Sequence, residues 1–170
     1  MTSLILTVVG PDRPGLVRAL SEAVAARGGS WLESRMARLA GQFAGIVLVE
    51  APESLVDDLR TLESQGLRIV VQSGEATAPG IAVGERLNLE VVGHDRPGIV
   101  RDITAVLAAN GVNIEELTTG VLSGSFSGET MFRASASLRA PDAAAVEAMR
   151  AGLERLGNEL MVDIQAATEG

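Results

Sequence analysis

The chain has 170 residues, of which 46% are hydrophobic, enough to build the core of one medium domain or two small ones. It contains no cysteine, which excludes disulfide bonds, thiolate metal sites and a cysteine nucleophile. Twenty-two acidic and fourteen basic residues give a formal net charge of -8, which opposes direct binding to nucleic acid. The N-terminus lacks a signal-peptide pattern and no segment reaches bilayer-spanning length, so we expect a soluble, cytoplasmic protein with no membrane partner.

The first thirty residues predict a strand followed by a helix. Hydrophobic residues alternate and then change to helical spacing, first at Leu4, Leu6 and Val8, and then at Leu16, Val17, Leu20 and Val24. Pro14 suits the first turn of this helix, where its missing N–H costs nothing. Asp12 is placed to accept hydrogen bonds from the free amides of that turn, and Gly28 provides a left-handed exit.

Two strands, a helix and a last strand follow. Ser30–Leu39 and Phe43–Glu50 are predicted to form an antiparallel hairpin around the tight Ala40-Gly41 turn. Pro52 then opens a second helix, which ends before Gly66. One face of this helix carries Leu55, Val56, Leu59 and Leu62. A strand over Leu67–Gln72 completes the order β-α-β-β-α-β.

The same order occurs twice, because the sequence repeats. "VVGPDRPGLVRAL", Val8 to Leu20, returns as "VVGHDRPGIVRDI", Val91 to Ile103, and the repeat aligns Leu4–Gly45 with Leu87–Gly128 without gaps. The second copy predicts the strands Asn113–Leu122, Thr130–Leu138 and Leu160–Ala166 and a helix over Asp142–Leu156. Its hairpin carries six extra residues in or just after Ser123 to Thr130. We therefore predict domains over 1–74 and 86–170, joined by a linker over 75–85 that is rich in Gly, Ala and Pro.

This order predicts the α+β fold class. Each copy is expected to be a ferredoxin-like domain, with a four-stranded antiparallel sheet covered on one face by two helices. Each sheet would keep a bare edge strand, and bare edges favour side-by-side pairing of domains into one continuous sheet.

The repeated loop "GPDRPG" is the main candidate for a functional site. It has the outline of a P-loop, but Leu16 and Val17 stand where lysine and Ser/Thr would contact phosphates and magnesium, so a nucleotide triphosphatase is disfavoured. Gly10, Gly15 and the open amides of the helix start could form a floor for a carboxylate. The two glycines would equally serve turn geometry and close helix–sheet packing, and both interpretations are open at this point.

Other chemistry-bearing residues point to no catalytic centre. His94 is the only histidine, so neither a His–His metal site nor two matching His-based active sites can form. The pair Glu115-Glu116 is interpreted as part of a solvated face, because adjacent residues point to different sides of an element. Trp31 aligns with Ile114 of the second copy and is interpreted as packing rather than as a cofactor platform.

The residues at this loop carry a family resemblance. A strand, "GPDRPGLVRAL" or "GHDRPGIVRDI", a helix and then "GVNIEEL" resemble the ACT domain, a regulatory amino-acid-binding module of ferredoxin-like fold. Two such domains without a catalytic domain, together with "TTGVLSGSFSGETMFRASASL", resemble the glycine cleavage system transcriptional repressor family. The resemblance covers both copies and nearly the whole chain.

The resemblance implies a ligand site at an interface between ACT domains. In the family, the loop after the first strand and an asparagine at the start of the second strand hold the ligand. Asp95, Gly98 and Asn113 match that pattern, whereas Ser30 replaces the asparagine in the first copy. Gly10 and Gly93 stand at the position where serine-binding relatives have a histidine. The complete candidate set is Gly10, Asp12, Gly15, Ser30, Gly93, His94, Asp95, Gly98 and Asn113.

These observations lead to an expected function. The chain is predicted to be a non-enzymatic regulator that binds a small amino acid, with glycine as the candidate, uses no cofactor, and controls transcription through a protein partner such as a DNA-binding regulator. A homodimer is a further expected assembly. The alternative is a structural or assembly module, or a regulatory subunit of an amino-acid metabolic enzyme, with no ligand of its own. An enzyme is the weakest hypothesis, since no nucleophile–base pair or metal cluster recurs in both copies.

Overall fold

The computed structural model describes residues 1–74, 83–123, 128–157 and 160–167. The chain divides into two compact units, Met1–Ala78 and Pro79–Gly170, and each has a hydrophobic core of its own. Of the predicted linker over 75–85, residues 75–82 lie outside the described ranges, and a strand begins at Glu85. Within the described ranges, no helix has the length and apolarity needed to cross a membrane.

The first unit has the predicted order of elements. They are β1 (Thr2–Pro11), α1 (Leu16–Ala26), β2 (Ser30–Leu39), β3 (Gln42–Ala51), α2 (Leu55–Glu63) and β4 (Arg68–Ser73). The strands form one sheet in the order β2-β3-β1-β4, and every neighbouring pair is antiparallel. The ferredoxin-like prediction is confirmed for this copy.

The second unit repeats the arrangement. Its elements are β5 (Glu85–His94), α3 (Ile99–Ala109), β6 (Asn113–Ser123), β7 (Thr130–Ala140), α4 (Ala143–Glu154) and β8 (Met161–Ala166). The sheet order is β6-β7-β5-β8, again antiparallel throughout. The element order is confirmed in both copies. The bounds differ from the predicted ones by no more than two residues, except that α2 begins at Leu55, three residues after the predicted start at Pro52.

Each core forms between one face of a sheet and two helices. In a strand, alternate side chains point to opposite faces, which is why only every second residue of β1 and β5 is buried. Residues at helical spacing fill the other side of each core. In the first unit these are Leu16, Leu20, Val24, Leu55, Leu59 and Leu62. In the second they are Ile99, Ile103, Leu107, Val146, Met149 and Leu153.

The hairpins differ in length, as the sequence predicts. Ala40 and Gly41 form a two-residue turn with φ of 48° and 80°, and Leu39 pairs with Gln42 across it. Paired positive φ angles give the turn a twist that matches the strands. In the second copy the equivalent pair is Leu122 and Met131. The six extra residues therefore lie between these two, in a segment of which residues 124–127 are outside the described ranges.

Left-handed glycines end α1 and α3. Gly28 has φ of 68° and Gly111 has φ of 67°. The amide of Gly28 donates to the Ala25 carbonyl at 2.9 Å, and the amide of Gly29 donates to the Val24 carbonyl at 3.0 Å, which is a Schellman motif. The second copy makes the same pair of bonds after α3. The predicted helix exits at Gly28 and Gly111 are confirmed.

An irregularity recurs at the start of each second strand. The register of β2 shifts between Trp31 and Glu33, and that of β6 shifts between Ile114 and Glu116. Such a bulge lets a strand bend and re-aim its side chains. Trp31 and Ile114 both pack against the cores of their units, so the interpretation of Trp31 as a packing residue is confirmed.

Core burial in the first unit predicts that substitutions at two leucines of its sheet have very different effects on the free energy of unfolding. Leu6 is fully buried in β1, whereas Leu39 is 80% exposed in β2. We expect Leu6→Ala to lower the free energy of unfolding by about 2–5 kcal/mol, because it leaves a cavity. Leu39→Ala should cost less than about 1 kcal/mol. Urea unfolding followed by fluorescence of Trp31, the only tryptophan, reports on this unit, and equal losses from both substitutions would contradict the described core.

Candidate functional site

A short loop carries the first strand of each unit into its first helix. The loops span residues 12–15 and 95–98. Gly15 and Gly98 precede the helices with φ of 91° and 82°, a left-handed conformation that other residues adopt only at a cost. A Cβ at Gly15 would meet nothing within 4 Å. Backbone conformation rather than crowding therefore explains the glycine at this position.

The structure corrects the predicted helix cap. Gly15 and Gly98 occupy the N-cap positions of α1 and α3, and neither helix has a side-chain cap hydrogen bond from that residue. Asp12 lies three residues before Gly15 and does not cap α1, and Pro14 lies in the preceding turn rather than in the helix. Amides of a first helical turn have no partner within the helix. A glycine cap offers them no side-chain acceptor, and in the second copy the amide of Ile99 donates to the Arg96 carbonyl at 3.3 Å.

Each loop is tied to the neighbouring hairpin. The amide of Asp12 donates to the Gly41 carbonyl, and the amide of Asp95 donates to the Thr130 carbonyl, both at 2.9 Å. The Asp12 carboxylate also lies 3.6 Å from Nε of Arg38 on β2. The position equivalent to Arg38 in the second copy is Val121, so this cation is absent there. The two aspartates thus have different surroundings despite identical loop sequences.

The arginines of the two loops also make different contacts. Nη2 of Arg13 donates to the Gln65 carbonyl at 2.6 Å, which ties the first loop to the turn after α2. Nη1 of Arg96 instead donates to Asp102 in the first turn of α3 at 2.7 Å, and Arg101 donates to the same carboxylate. These hydrogen bonds from Arg96, and then from Arg101, hold the pKa of Asp102 below its ordinary value. Both loop arginines serve to hold the loop.

Three other candidates lie at the ends of the first strands. Gly10 and Gly93 are buried on the helix-covered side. A Cβ at Gly10 would come within 3.0 Å of the Gly66 carbonyl oxygen and of the Leu67 side chain, so packing alone requires glycine there. His94 is the last residue of β5, and its Nδ1 lies 3.7 Å from a carboxylate oxygen of Glu129.

Ser30 and Asn113 lie far from the loops of their own units. Asn113 pairs with Arg139 of β7. His94, the last residue before the loop, pairs with Met131 at the other end of β7. Eight residues along β7 separate these two levels, about 26 Å at roughly 3.3 Å per residue. The first sheet has the same geometry. One domain therefore does not bring its aspartate and its strand start together.

A partly buried ion-pair group beside Asn113 was missed by the sequence analysis. Glu115 accepts hydrogen bonds from Nε of Arg139 at 2.7 Å and from Nε of Arg86 at 3.2 Å. Only 14% of the Arg139 side chain and 23% of the Glu115 side chain are exposed. The interpretation of Glu115 as a solvated residue is therefore wrong. The bulge turns it towards the arginines of two other strands, and spacing along the sequence gives no signal of that contact.

Comparison with known families decides the classification. Sequence profiles of the ACT domain match residues 2–72 and residues 88–151. The chain belongs to the ACT-domain family. The first match spans the first ferredoxin-like unit, and the second covers the other unit from β5 into α4. Together they show a tandem pair of ACT domains.

Several proteins are similar over longer stretches. The glycine cleavage system transcriptional repressors of Escherichia coli (strain K12) and Shigella flexneri are each 28% identical over 120 residues, which cover 68% of this chain and 63% of each relative. An unknown protein from Galdieria sulphuraria has a crystal structure with a TM-score of 0.82 at 31% identity, over 98% of this chain and 99% of that one. Another crystal structure, provisionally named a glycine cleavage system transcriptional repressor, has a TM-score of 0.67 at 21% identity over 98% of both chains and shares the fold.

The ion pairs of Glu115 predict an acid-sensitive contribution to stability. Hydrogen bonding from Arg139, assisted by the charge of Arg86, lowers the pKa of Glu115 in the folded protein. Such a group stabilises the fold above the pKa it has when unfolded and loses that contribution as the pH falls through its folded pKa. Glu115→Gln should therefore cost about 1–2 kcal/mol at pH 7.

Calorimetric unfolding between neutral and acid pH checks this prediction. The difference in stability between the wild type and Glu115→Gln should shrink as the pH falls. The control is Glu147→Gln, whose carboxylate lies 4.0 Å from Arg150 on the surface of α4, and it should change stability little at any pH. A difference that stays constant down to acid pH would contradict the assigned ion pairs.

Proposed function

We propose that the protein is a non-enzymatic regulator that senses a small amino acid at interfaces of its ACT domains and controls transcription through a protein partner. The observation that carries this proposal is the repeated helix start capped by a left-handed glycine, at Gly15 and Gly98, with an aspartate three residues earlier. Turn geometry accounts for Gly15 and packing accounts for Gly10. Neither accounts for the aspartates, which cap no helix.

The loop offers groups for both charges of an amino acid. Open amides at a helix start favour a carboxylate, and an aspartate side chain can accept hydrogen bonds from an ammonium group. The two charged groups of an α-amino acid lie close together, which suits a loop this short. A small side chain such as that of glycine fits best beside it.

The site needs groups from two ACT domains. A loop and a strand start lie at opposite ends of one sheet, so a ligand held by both must bind where one ACT domain meets another. The surface beside edge strand β6 supports such pairing, because Val100 and Leu117 are 40% and 45% exposed there. They flank an apolar groove between α3 and β6. Ligand binding would then stabilise domain pairing, which is the linkage that a sensor requires.

We propose that the residues of the second copy, Asp95 and Asn113, contribute most of the affinity for the amino acid. Asp95 has no counterpart of Arg38 to compete for its carboxylate, whereas an ammonium group at Asp12 must displace that guanidinium. Asn113 offers an amide oxygen as acceptor where Ser30 offers a hydroxyl. The loop Asp95 and the strand start Asn113 are therefore the residues to substitute first.

Control through a protein partner fits the charge of the chain. A net charge of -8 repels duplex DNA. The similar repressors named above act on transcription, as their name states, and this chain spans about 63% of their length. An acidic ACT-domain protein can exert such control by binding a DNA-binding regulator in a ligand-dependent way.

Thermal unfolding with glycine, serine and the other amino acids at millimolar concentration tests the sensor role. An amino acid present at about 100 times its dissociation constant should add roughly 2.7 kcal/mol, which raises the Tm by several degrees. Asp95→Ala/Asn113→Ala should lose that shift. Asp57→Ala/Gln72→Ala, which removes the same kinds of group elsewhere, should keep it.

The opposite outcomes are equally informative. If no amino acid shifts the Tm of the wild type, the sensor role is wrong and the chain is a structural or assembly module. If the shift survives in Asp95→Ala/Asn113→Ala, an amino acid binds, but at a different site. Turnover of any amino-acid-derived compound would overturn the non-enzymatic part of the proposal.

A further inference from the structure

The helix-free face of the first sheet is largely apolar. Every second residue of its strands points away from the helices, and residues that pair across the strands form rows on this face. Its apolar members are Ile5, Val9, Pro11, Ala37, Leu39, Ala44, Ile46, Leu48 and Val70. They are called the apolar face below. Near its centre, Ile46 is 56% exposed and Val70 is 57% exposed.

The equivalent face of the second sheet is polar at matching positions. Ile5 and Leu48, which pair in the first sheet, correspond to Asn88 and Ser137, which pair in the second. Both sheets have the same strand order and bury the opposite face under two helices. Folding of the domain therefore does not require apolar residues here. Contiguous exposed apolar residues are typical of an interaction surface, so we expect the apolar face to be covered.

The chemistry of the apolar face indicates what covers it. Burial of apolar surface is most favourable against another apolar surface, where no polar group loses its water. The second sheet of the same chain offers a polar face at the corresponding place, with the carboxylates of Glu90 and Asp163 on it. A second copy of the chain offers the apolar face itself. Two sheets that pack face to face interdigitate their side chains in this way.

Charge also favours a second copy at this surface. The chain has a formal net charge of -8, which opposes the approach of two copies. On the helix-free face of the first sheet, however, two acidic residues are balanced by two basic ones. These are Glu33 and Glu50, and Arg35 and Arg68. Two copies can therefore approach each other at this face without net repulsion between the facing surfaces.

The size of this face matches a small dimer interface. It extends along β1 from Ser3 to Pro11, about 30 Å at roughly 3.3 Å per residue, and four strands at roughly 4.8 Å make it about 19 Å wide. The shorter β4 leaves one corner uncovered, so the face measures about 500 Å². Two copies would together bury about 1,000 Å², which is the lower end for a specific interface. We therefore expect a dimer that dissociates on dilution.

We propose that the apolar face is the interface of a homodimer, in which the first sheets of two copies pack face to face across a two-fold axis. The same surface then serves both copies, which is the commonest form of a symmetric dimer. The sequence predicts a homodimer without locating its interface. The apolar face contains none of the candidate ligand residues, so this proposal does not depend on the sensor role.

Sedimentation equilibrium of the full chain without amino acids tests the interface. We expect a monomer–dimer equilibrium in the wild type and at least about a tenfold weaker association in Ile46→Lys/Val70→Lys, because dimerisation would bury unpaired ammonium groups. Added lysines reduce the net negative charge, so repulsion between acidic chains would not explain the loss. The matched control is Leu122→Lys/Met161→Lys, which changes two exposed apolar residues on the equivalent face of the second sheet. It should associate like the wild type.

A milder variant keeps the test decisive where lysine unfolds the first unit. Ile46→Thr/Val70→Thr retains β-branched side chains, which suit a strand, and removes apolar surface from the centre of the interface. It should also weaken dimerisation. Urea unfolding followed by Trp31 fluorescence identifies the variants whose first unit is folded.

Three results would overturn the proposal. They are a wild type that stays monomeric up to millimolar concentration, unchanged association in a folded variant of Ile46 and Val70, and an equal loss in the control. The amino-acid Tm shift, measured on the same variants, separates this failure from failure of the sensor role. Ile46→Lys/Val70→Lys should keep that shift, and Asp95→Ala/Asn113→Ala should keep the dimer.

Discussion

Burial of one face of each sheet beneath two helices is the constraint on which the rest of this structure depends. It requires alternate residues of β1 and β5 to be apolar, and it sets the spacing of leucines along α1 and isoleucines along α3. In each unit it also requires the backbone to pass from the end of the first strand to the start of the first helix through a loop of four residues. The first-turn amides of α1 and α3 therefore lie at a fixed place, at one end of each sheet.

Much of this architecture is readable from the sequence, because period and repetition are strong signals. The change from alternating to helical spacing predicts each β-α step, and Gly28 predicts a helix exit that the structure confirms. The cap at Asp12 is a wrong prediction. Residue preferences indicate which residue types suit an N-cap, but they do not decide which of several nearby residues becomes the N-cap. In α1 the N-cap is Gly15, in a left-handed conformation.

The candidate site was only partly predictable. The loops and their glycines follow from the repeat, whereas the contact of Arg38 with Asp12 and the arginines around Glu115 depend on strands distant in sequence. The separation of Asn113 from Asp95 was predictable in principle, because two strands that both pair antiparallel with β7 run in the same direction. Because of that direction, the start of β6 and the loop after β5 lie at opposite ends of the sheet. The proposed site therefore requires two ACT domains to pair.

The central claim is that one ligand touches a loop and a strand start from different ACT domains. Backbone amide chemical shifts of the isotope-labelled full chain, followed by NMR during titration with glycine, test it most directly. The account predicts changes at both ends of a sheet, at Asp95–Ile99 and at a strand start such as Asn113, with Thr118 between them unaffected. Changes confined to one end, or no saturable change at either loop, would contradict it.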